Sequence, residues 1–294
     1  MLYNYLKIAV RNLLRHKVFS AINLFGLSVG LASCLLIVLY ILQELSYDKH
    51  HAKADRIYRV TRDFINPDGS VGLQLGNVAP PFGPLLKSYF SDLEEVGRML
   101  KFSSVVSVNP EKAFNEENIY FAEPSLLNIF TIPVLRGNPA NVLNEPFAML
   151  VSDKVVQKYF GDKDPVGQVL KIDGQIQVKV TGVFKVFPAN SHLHPDFLVS
   201  FSTLEDDNIY GRNNLQSNWG SNNFTTYLLF PQNYPVDKVE AQFPTFLDKH
   251  IQVDSKAGKK PSSWTRLNLQ KLADIHLYSH LDTELEENGN ITNV

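Results

Sequence analysis

The feature that most constrains this sequence is an apolar tract near its amino terminus. Residues 18–42 are 25 consecutive positions without a charged side chain. A helix of this length, rising about 1.5 Å per residue, exceeds the roughly 30 Å hydrocarbon core of a bilayer. A cleaved secretory signal would have a shorter apolar stretch and a small-residue cleavage site, whereas this tract leads into Gln43 and Glu44. We therefore predict a retained transmembrane helix over residues 18–42.

The charges beside the tract predict its orientation. Four basic residues precede it: Lys7, Arg11, Arg15 and Lys17. No Asp or Glu occurs before Glu44. Basic residues favour the cytoplasmic side of a membrane helix, so the amino terminus is expected in the cytoplasm and residues 43–294 outside it.

The composition of residues 43–294 excludes one class of partner. Their 24 basic residues are outnumbered by 30 acidic ones, which gives a formal charge of −6. With this balance and no basic stripe, a nucleic-acid partner is not expected. The single cysteine, Cys34, lies in the apolar tract. The outer part therefore needs an apolar core rather than disulfides, and its length suits one large or two modest domains.

The first 42 residues contain two candidate contact surfaces. Gly26 and Gly30 form a Gly-x-x-x-Gly pair, and Ser33 continues this small-residue face. Such a face allows a second membrane helix to approach closely, although glycine is also simply common in membrane helices. Residues 1–17 alternate apolar and basic positions at roughly helical spacing. They predict an amphipathic helix under the cytoplasmic leaflet, held there by the four basic residues.

The outer part repeats one order of elements. Strand, helix and strand patterns occur at 56–64, about 81–90 and 95–104, and again at 224–230, 235–251 and 265–272. Two such units commonly form a split β-α-β sandwich of the ferredoxin type. The stretch between them has mostly strand patterns, with a short helix at 153–161. We therefore predict an α+β fold in which residues 105–223 are a β-rich insertion.

Histidines supply the only candidate chemistry of note. His192, His194 and Asp196 in "NSHLHPD" would lie on one side of a strand and could ligate zinc, or they could tie down the preceding turn. The second alternative is the more common, and we expect no metal site. His50 and His51 are expected to be solvated, and His276 to pack or hydrogen-bond.

Motifs for catalysis are absent from the sequence. It has no Gly-x-Ser-x-Gly elbow, no His-Glu-x-x-His and no Walker phosphate loop. We therefore expect no enzyme activity, no ATP hydrolysis by this chain and no cofactor.

Five phrases in one order resemble the amino-terminal half of MacB/FtsX-like ABC transporter permeases. They are "RNLLRHKVFSAINLFGLSVGLASCLLI", "ELSYDKHHAKADRIYRV", "VVQKYFGDKDPVGQVLKI", "VTGVFKVFPANSHLHPDFL" and "LADIHLYS". The resemblance covers nearly the whole chain. It implies a bacterial inner-membrane protein with a first membrane helix and a large periplasmic domain.

The resemblance also implies a domain plan. The parts are a cytoplasmic amphipathic segment (1–17), a transmembrane helix (18–42), a porter-like subdomain (43–104 and 224–285), a sabre-like insertion (105–223) and a polar tail (286–294). It further implies partners: a cytoplasmic ATP-binding subunit, a second permease copy or homologue, and a periplasmic adaptor. Permeases of this type continue into further membrane helices, whereas this sequence ends at Val294. It is expected to be a fragment of a longer permease, or a short product that needs other subunits.

Three functions remain open from the sequence. The leading hypothesis is a permease component that passes the motion of an ATPase to the periplasmic domain. A stand-alone anchored binding or sensor module is the second, and an anchored metal hydrolase the third. The sequence does not identify a cargo or an adaptor.

Overall fold

The structure is a computed structural model that describes residues 2–251 and 258–294. It has two compact units, which we describe separately: residues 1–46, and the domain of residues 47–293. The helices are α1 (Leu2–Arg15), α2 (Lys17–Glu44), α3 (Phe82–Tyr89), α4 (Leu126–Ile129), α5 (Asp153–Phe160), α6 (Arg212–Ser217), α7 (Asp237–Glu240), α8 (Phe243–His250) and α9 (Leu272–Tyr278). Short 3₁₀ helices lie at Ala54–Arg56, Phe201–Glu205, Pro261–Ser263 and Ile291–Asn293.

The first unit consists of α1 and α2, which meet at His16. None of the residues of α2 is buried, and the helix has a mean hydropathy of 2.4 over its most apolar window. Its length and composition are sufficient to cross a membrane. It contains the whole tract predicted to span.

The described part of the domain is built on one mixed sheet. Its strands are β1 (Ile57–Ile65), β2 (Val71–Leu75), β3 (Glu95–Asn109), β4 (Lys112–Ala122), β5 (Val134–Arg136), β6 (Ala148–Ser152), β7 (Val169–Ile172), β8 (Ile176–Phe184), β9 (Phe197–Ser200), β10 (Thr225–Leu229) and β11 (Thr265–Lys271). The order is β11-β1-β10-β3-β4-β9-β6-β8-β5, with β2 beside β1 and β7 beside β3 and β8.

One end of this sheet has the predicted ferredoxin-type order. The strands β11, β1, β10 and β3 are adjacent and antiparallel. Helices α3 and α8 pack on the face that carries Val60 and Leu228, through buried Phe82 and Phe246. The alternation of β1 therefore sends Val60 to these helices and Ile57 to a second core on the opposite face.

The other end of the sheet is made by the middle of the chain. Here β4 and β9, and β6 and β8, pair in parallel. Helix α5 packs on this end through Val155 and Tyr159, in a third core that also contains Phe197. Gly161 ends α5 with φ of 59°, a conformation that glycine adopts without strain. The predicted α+β fold is thus confirmed, while the predicted subdomain bounds stay a prediction.

Two local predictions are wrong. The helix expected over 235–251 is two helices, α7 and α8, because Pro244 near the start of α8 lacks the N–H that a continuous helix needs. Residues 190–196 are not a strand but an irregular loop before β9. The alternation of His192 and His194 therefore does not place them on one face of a sheet.

Candidate functional site

The irregular loop of residues 190–196, which we call the histidine loop, contacts both ends of the domain's chain. His192 contacts Asp48, near the first residue of the domain, and His194 contacts Glu286, near its last. We call residues 47–52 the amino-terminal segment and residues 279–288 the carboxy-terminal segment. One short loop thus joins two segments that are distant in the sequence.

A chain of hydrogen bonds connects Asp48, His192 and Tyr227. Nδ1 of His192 lies 2.8 Å from Oδ1 of Asp48, and Nε2 lies 2.7 Å from the Tyr227 hydroxyl. Because a carboxylate only accepts hydrogen bonds, Nδ1 carries the proton, and in the neutral ring Nε2 accepts from Tyr227. The N–H of Asp48 also donates to the carbonyl of Asn190 at 2.9 Å. Side chain and main chain therefore both attach Asp48 to the histidine loop.

The environment of this chain of bonds is closed to solvent. Asp48, His192 and Tyr227 expose 1%, 4% and 0% of their surface. Burial acts to raise the pKa of Asp48, but the charge and hydrogen bonds of His192 outweigh it, so this pKa lies below its usual value. Burial raises the pKa of Tyr227. A buried, protonated phenol is not a nucleophile, so the arrangement is suited to holding segments together.

Asp48 also has an uncommon backbone conformation. Its φ is 58°, in the left-handed region that non-glycine residues rarely occupy. Such a conformation persists where the surrounding contacts determine it. The bonds to the histidine loop supply these contacts at the start of the domain.

Two further residues hold the amino-terminal segment. Tyr47 stacks on buried His276 of α9, with ring centroids 3.2 Å apart. The prediction that His276 packs is confirmed. His51 is buried against Phe130 and Phe187, and its Nδ1 accepts a hydrogen bond from the N–H of Thr131 at 3.1 Å.

The expectation that His50 and His51 are solvated is wrong. His51 exposes only 3% of its surface, and His50 is half-buried. The aromatic residues that cover His51 come from positions about 80 and 135 residues further along the chain. The local sequence gives no sign of such a cover.

The carboxy-terminal segment is attached through Glu286. Its carboxylate accepts hydrogen bonds from the N–H of His194 at 2.6 Å and from the Tyr120 hydroxyl at 2.8 Å, and its Oε2 lies 2.8 Å from Nδ1 of His194. The hydrogen bond to Glu286 raises the pKa of His194 above its ordinary value. Burial acts to raise the pKa of Glu286, but the hydrogen bonds from His194 and Tyr120 lower it overall.

A buried arginine holds the same segment two residues earlier, at Glu284. Arg59 of β1 is fully buried, and its Nη1 lies 2.6 Å from Oε2 of Glu284. Its Nη2 donates to the side chains of Gln270 at 2.6 Å and Ser279 at 2.8 Å. Leu285, between the two anchored glutamates, is buried in the core. The carboxy-terminal segment is therefore an integral part of the domain.

A match over most of this chain's length decides its family. The MacB-like periplasmic core domain family matches residues 20–245. This chain belongs to that family. The resemblance found in the five sequence phrases is thereby confirmed. No curated protein matches the chain.

Three solved structures are similar to this MacB-like chain. A domain assigned to a permease protein of Porphyromonas gingivalis has 18% identity and a TM-score of 0.64, and covers 83% of this chain and 97% of its own. The periplasmic region of MacB from Actinobacillus actinomycetemcomitans has 14% identity and a TM-score of 0.48, covering 74% and 90%. The extracellular domain of the ABC-type transporter YknZ from Gram-positive bacteria has 15% identity and a TM-score of 0.45, covering 72% and 99%. At these identities the likeness concerns the fold.

The family and the apolar helix together indicate a membrane-anchored protein. Of the described residues, one helix, α2, is long and apolar enough to cross a membrane. It is followed by a MacB-like domain, and the matching proteins are domains of transporter permeases rather than enzymes. A role in the permease family follows.

The three residues of the zinc alternative are engaged with other protein groups. Both ring nitrogens of His192 have partners, Nδ1 of His194 faces Glu286, and Asp196 lies 3.2 Å from Nζ of Lys154. Within residues 2–251 and 258–294, no group of three His, Cys, Asp or Glu side chains could hold a metal ion. The two histidines instead hold the two ends of the MacB-like domain.

The residues predicted to act in the membrane all lie in the first unit. Gly26, Gly30 and Ser33 are exposed on α2, and a Cβ added at either glycine would meet nothing within 4 Å. Lys7, Arg11 and Arg15 lie on α1, and Lys17 begins α2. Neither set of residues is among the contacts of the histidine loop described above, and their roles stay predictions.

Sequence reasoning missed the partners of the two histidines. Asp48 and Arg59 lie in the phrase "ELSYDKHHAKADRIYRV", and Tyr227 and Glu286 lie in none of the five phrases, but no local pattern marks any of the four as a partner of the histidines. The His-x-His spacing was the one signal of this site in the sequence, because one of its two interpretations was that these polar groups tie down a turn. The remaining partners depend on which strands become neighbours.

Proposed function

We propose that this chain is the permease component of an ABC-type export or mechanotransmission complex. In this role it couples ATP hydrolysis by a separate cytoplasmic subunit to movement of its periplasmic domain. The observation that carries the proposal is the attachment of both ends of the domain to the histidine loop. A domain that must follow its membrane helices needs ends that do not unravel when they are pulled.

The contacts at these ends suit transmission of force. The amino-terminal segment is attached within two residues of Ser46, where the first unit ends, through Tyr47 and Asp48. No long flexible linker, which would absorb displacement, lies in the sequence between Ser46 and these attached residues. The carboxy-terminal segment is attached to the histidine loop through Glu286. The family resemblance implies that permeases of this type return to the membrane after this segment. Displacement of either end is therefore passed directly to the sheet.

The partners and the orientation belong to the same proposal. The amino terminus lies in the cytoplasm beneath the inner membrane, with Lys7, Arg11, Arg15 and Lys17 at the lipid surface. The small-residue face of Gly26, Gly30 and Ser33 contacts another membrane helix. The complex contains a cytoplasmic ATP-binding subunit, a second permease copy or homologue, and a periplasmic adaptor.

The test is a gentle affinity purification of the natively expressed protein from membranes, with mass spectrometry of its intact mass and its partners. A co-purifying ATPase with a phosphate-binding loop is the expected result. Recovery of the protein without any ATPase would contradict the proposal and favour an anchored binding or sensor module. Replacing α2 by an unrelated membrane anchor separates the two further, because a sensor module would tolerate this replacement.

The small-residue face gives a separate prediction. Gly26→Leu combined with Gly30→Leu is expected to weaken association of membrane helices, because the added side chains keep the backbones apart. Insertion into the membrane should be unaffected, since leucine is strongly apolar. The measurement is the cross-linking yield in native membranes. The matched control is Ser28→Leu with Ala32→Leu, on the opposite side of α2; equal yields from the two pairs would rule out a specific role for this face.

A further inference from the structure

Two adjacent histidines of the amino-terminal segment have unpaired ring nitrogens. Among the described residues, neither nitrogen of His50 nor Nε2 of His51 has a hydrogen-bond partner, and all three atoms are buried. The two ring centroids are 3.9 Å apart. Oδ2 of Asp48 is also buried without a partner, and Nε2 of His51 lies 3.9 Å from Oδ1 of the same carboxylate. The pair is therefore enclosed but not compensated by hydrogen bonds.

The surroundings of this pair disfavour positive charge. The titratable groups that face the two rings are Asp48, His192 and His194, besides the rings themselves. Phe130 and Phe187 pack against the rings, and the N–H of Thr131 donates to Nδ1 of His51. Asp48 is the only acidic group among them, and it is already bonded to His192. Nε2 of His51 lies 3.9 Å from Oδ1 of Asp48, beyond hydrogen-bond distance, and His50 has no hydrogen-bonded acceptor. In the docked arrangement a proton on either ring would thus be a buried charge without a hydrogen-bond partner.

We propose that the amino-terminal segment is an acid-sensitive joint, in which protonation of His50 and His51 undocks residues 48–52 from the rest of the domain. Undocking moves both rings from the aromatic pocket into water, where a charged imidazole is well solvated. At neutral pH the rings are uncharged and the segment stays docked.

The direction of the pH dependence follows from the two states. Burial, with the neighbouring His50, lowers the pKa of docked His51 to about 3, and burial lowers the pKa of His50. In the undocked segment both groups have the ordinary histidine pKa of about 6.5. Docking is therefore complete above this value and is lost as the pH falls below it. From pH 7.5 to 5.0 the ratio of undocked to docked segment rises about 30-fold for each histidine that titrates only when undocked.

The carboxy-terminal segment responds in the opposite direction. The raised pKa of His194 and the lowered pKa of Glu286 mean that the bond between them is fully present between about pH 4.5 and 6.5. It weakens as the pH rises past the raised value or falls past the lowered one. Acid therefore releases one end of the domain and leaves the other attached. This gives a local response that differs from acid unfolding of the whole domain.

An effect of undocking on force transmission rests on the proposed function, whereas the undocking itself does not. Undocking is measured on the full chain alone, without an ATPase, so its failure can be distinguished from a failure of the co-purification. The probe is a nitroxide spin label at Lys49→Cys in a Cys34→Ser background, because Lys49 is exposed and Cys34 is the only native cysteine. The expected result is an immobile label at pH 7.5 and a mobile label at pH 5.0. A label that stays immobile at pH 5.0 would overturn the proposal.

Three variants test the assignment to this pair. His50→Gln and His51→Gln should each reduce the number of protons that drive undocking from two to one, and so halve the steepness of the transition. The matched control, His280→Gln, removes an exposed histidine and should leave the transition unchanged. A transition of unchanged steepness in both variants of the pair would contradict the proposal.

A second spin label distinguishes undocking of the amino-terminal segment from unfolding of the whole domain. At Glu287→Cys, beside Glu286, the label should remain immobile at pH 5.0 while the label at position 49 becomes mobile. Should a histidine variant disturb folding, fluorescence of Trp219 and Trp264, both in the domain, will report it, and the steepness is then taken from the other variant. Simultaneous release at positions 49 and 287 would show general acid unfolding and overturn the proposal.

Discussion

Replacing His192 by alanine is expected to lower the free energy of unfolding of the domain by about 3–5 kcal/mol, the loss typical when removal of one partner leaves a buried charge uncompensated. The variant leaves the Asp48 carboxylate and the Tyr227 hydroxyl buried without their partner. The measurement is urea unfolding of the full chain in detergent, followed by tryptophan fluorescence. Both tryptophans lie in the domain, so the signal reports on it alone.

The matched control is His194→Ala, two residues away in the same loop. The His194 side chain is 35% exposed and its partner Glu286 is 20% exposed. A loss of about 1 kcal/mol or less is expected there, because solvent screens the pair and can hydrate what remains. Equal losses from the two variants would contradict the assignment of His192 as the buried anchor. The double variant Asp48→Ala, His192→Ala should lose less than the sum of the single ones, since it leaves no buried charge behind.

Replacing Arg59 by methionine is expected to have a comparable effect, about 3 kcal/mol, because it leaves the Glu284 carboxylate without its buried partner. Methionine keeps much of the apolar stem, so the loss comes from the guanidinium group and its bonds to Glu284, Gln270 and Ser279. The variant should also release the carboxy-terminal segment. Urea unfolding measures the first effect, and the mobility of a spin label at Glu287→Cys measures the second.

The control for this variant is Arg136→Met. Arg136 pairs with Asp164 at 3.4 Å, but the two side chains are 57% and 70% exposed. Removing this surface pair should change the free energy of unfolding by less than about 1 kcal/mol. If Arg59→Met were no more destabilising than Arg136→Met, or left the label at position 287 immobile, Arg59 would not be the anchor of the carboxy-terminal segment.

Much of the domain's secondary structure could be predicted from local patterns. The strands β1, β10 and β11 and the helix α5 lie where alternation and helical spacing predicted them. Such patterns depend on which face of an element is apolar, and residues close together in the sequence determine that face. The failure at 235–251 has the same origin, because the apolar stripe continues across the break between α7 and α8, which Pro244 in the first turn of α8 imposes.

The site could be predicted only in part. The spacing of His192 and His194 drew attention to the loop, and their role in tying down the chain was one of two alternatives. Their partners could not be found, because Asp48 lies 144 residues from His192 and Glu284 lies 225 residues from Arg59. No local pattern connects residues at such distances.

The sequence by itself determined the apolar helix α2, because a bilayer sets its length and excludes charge without reference to any other part of the chain. It also determined the family, through five short segments that resemble those of MacB/FtsX-like permeases and occur in the same order. Only the tertiary structure decided the two anchored ends. The order of β11, β1, β10 and β3 brings Arg59 beside Gln270 and the carboxy-terminal segment, and the position of β9 brings the histidine loop beside Asp48. These contacts exist because strand pairing joins distant segments and burial then makes each polar group require a partner.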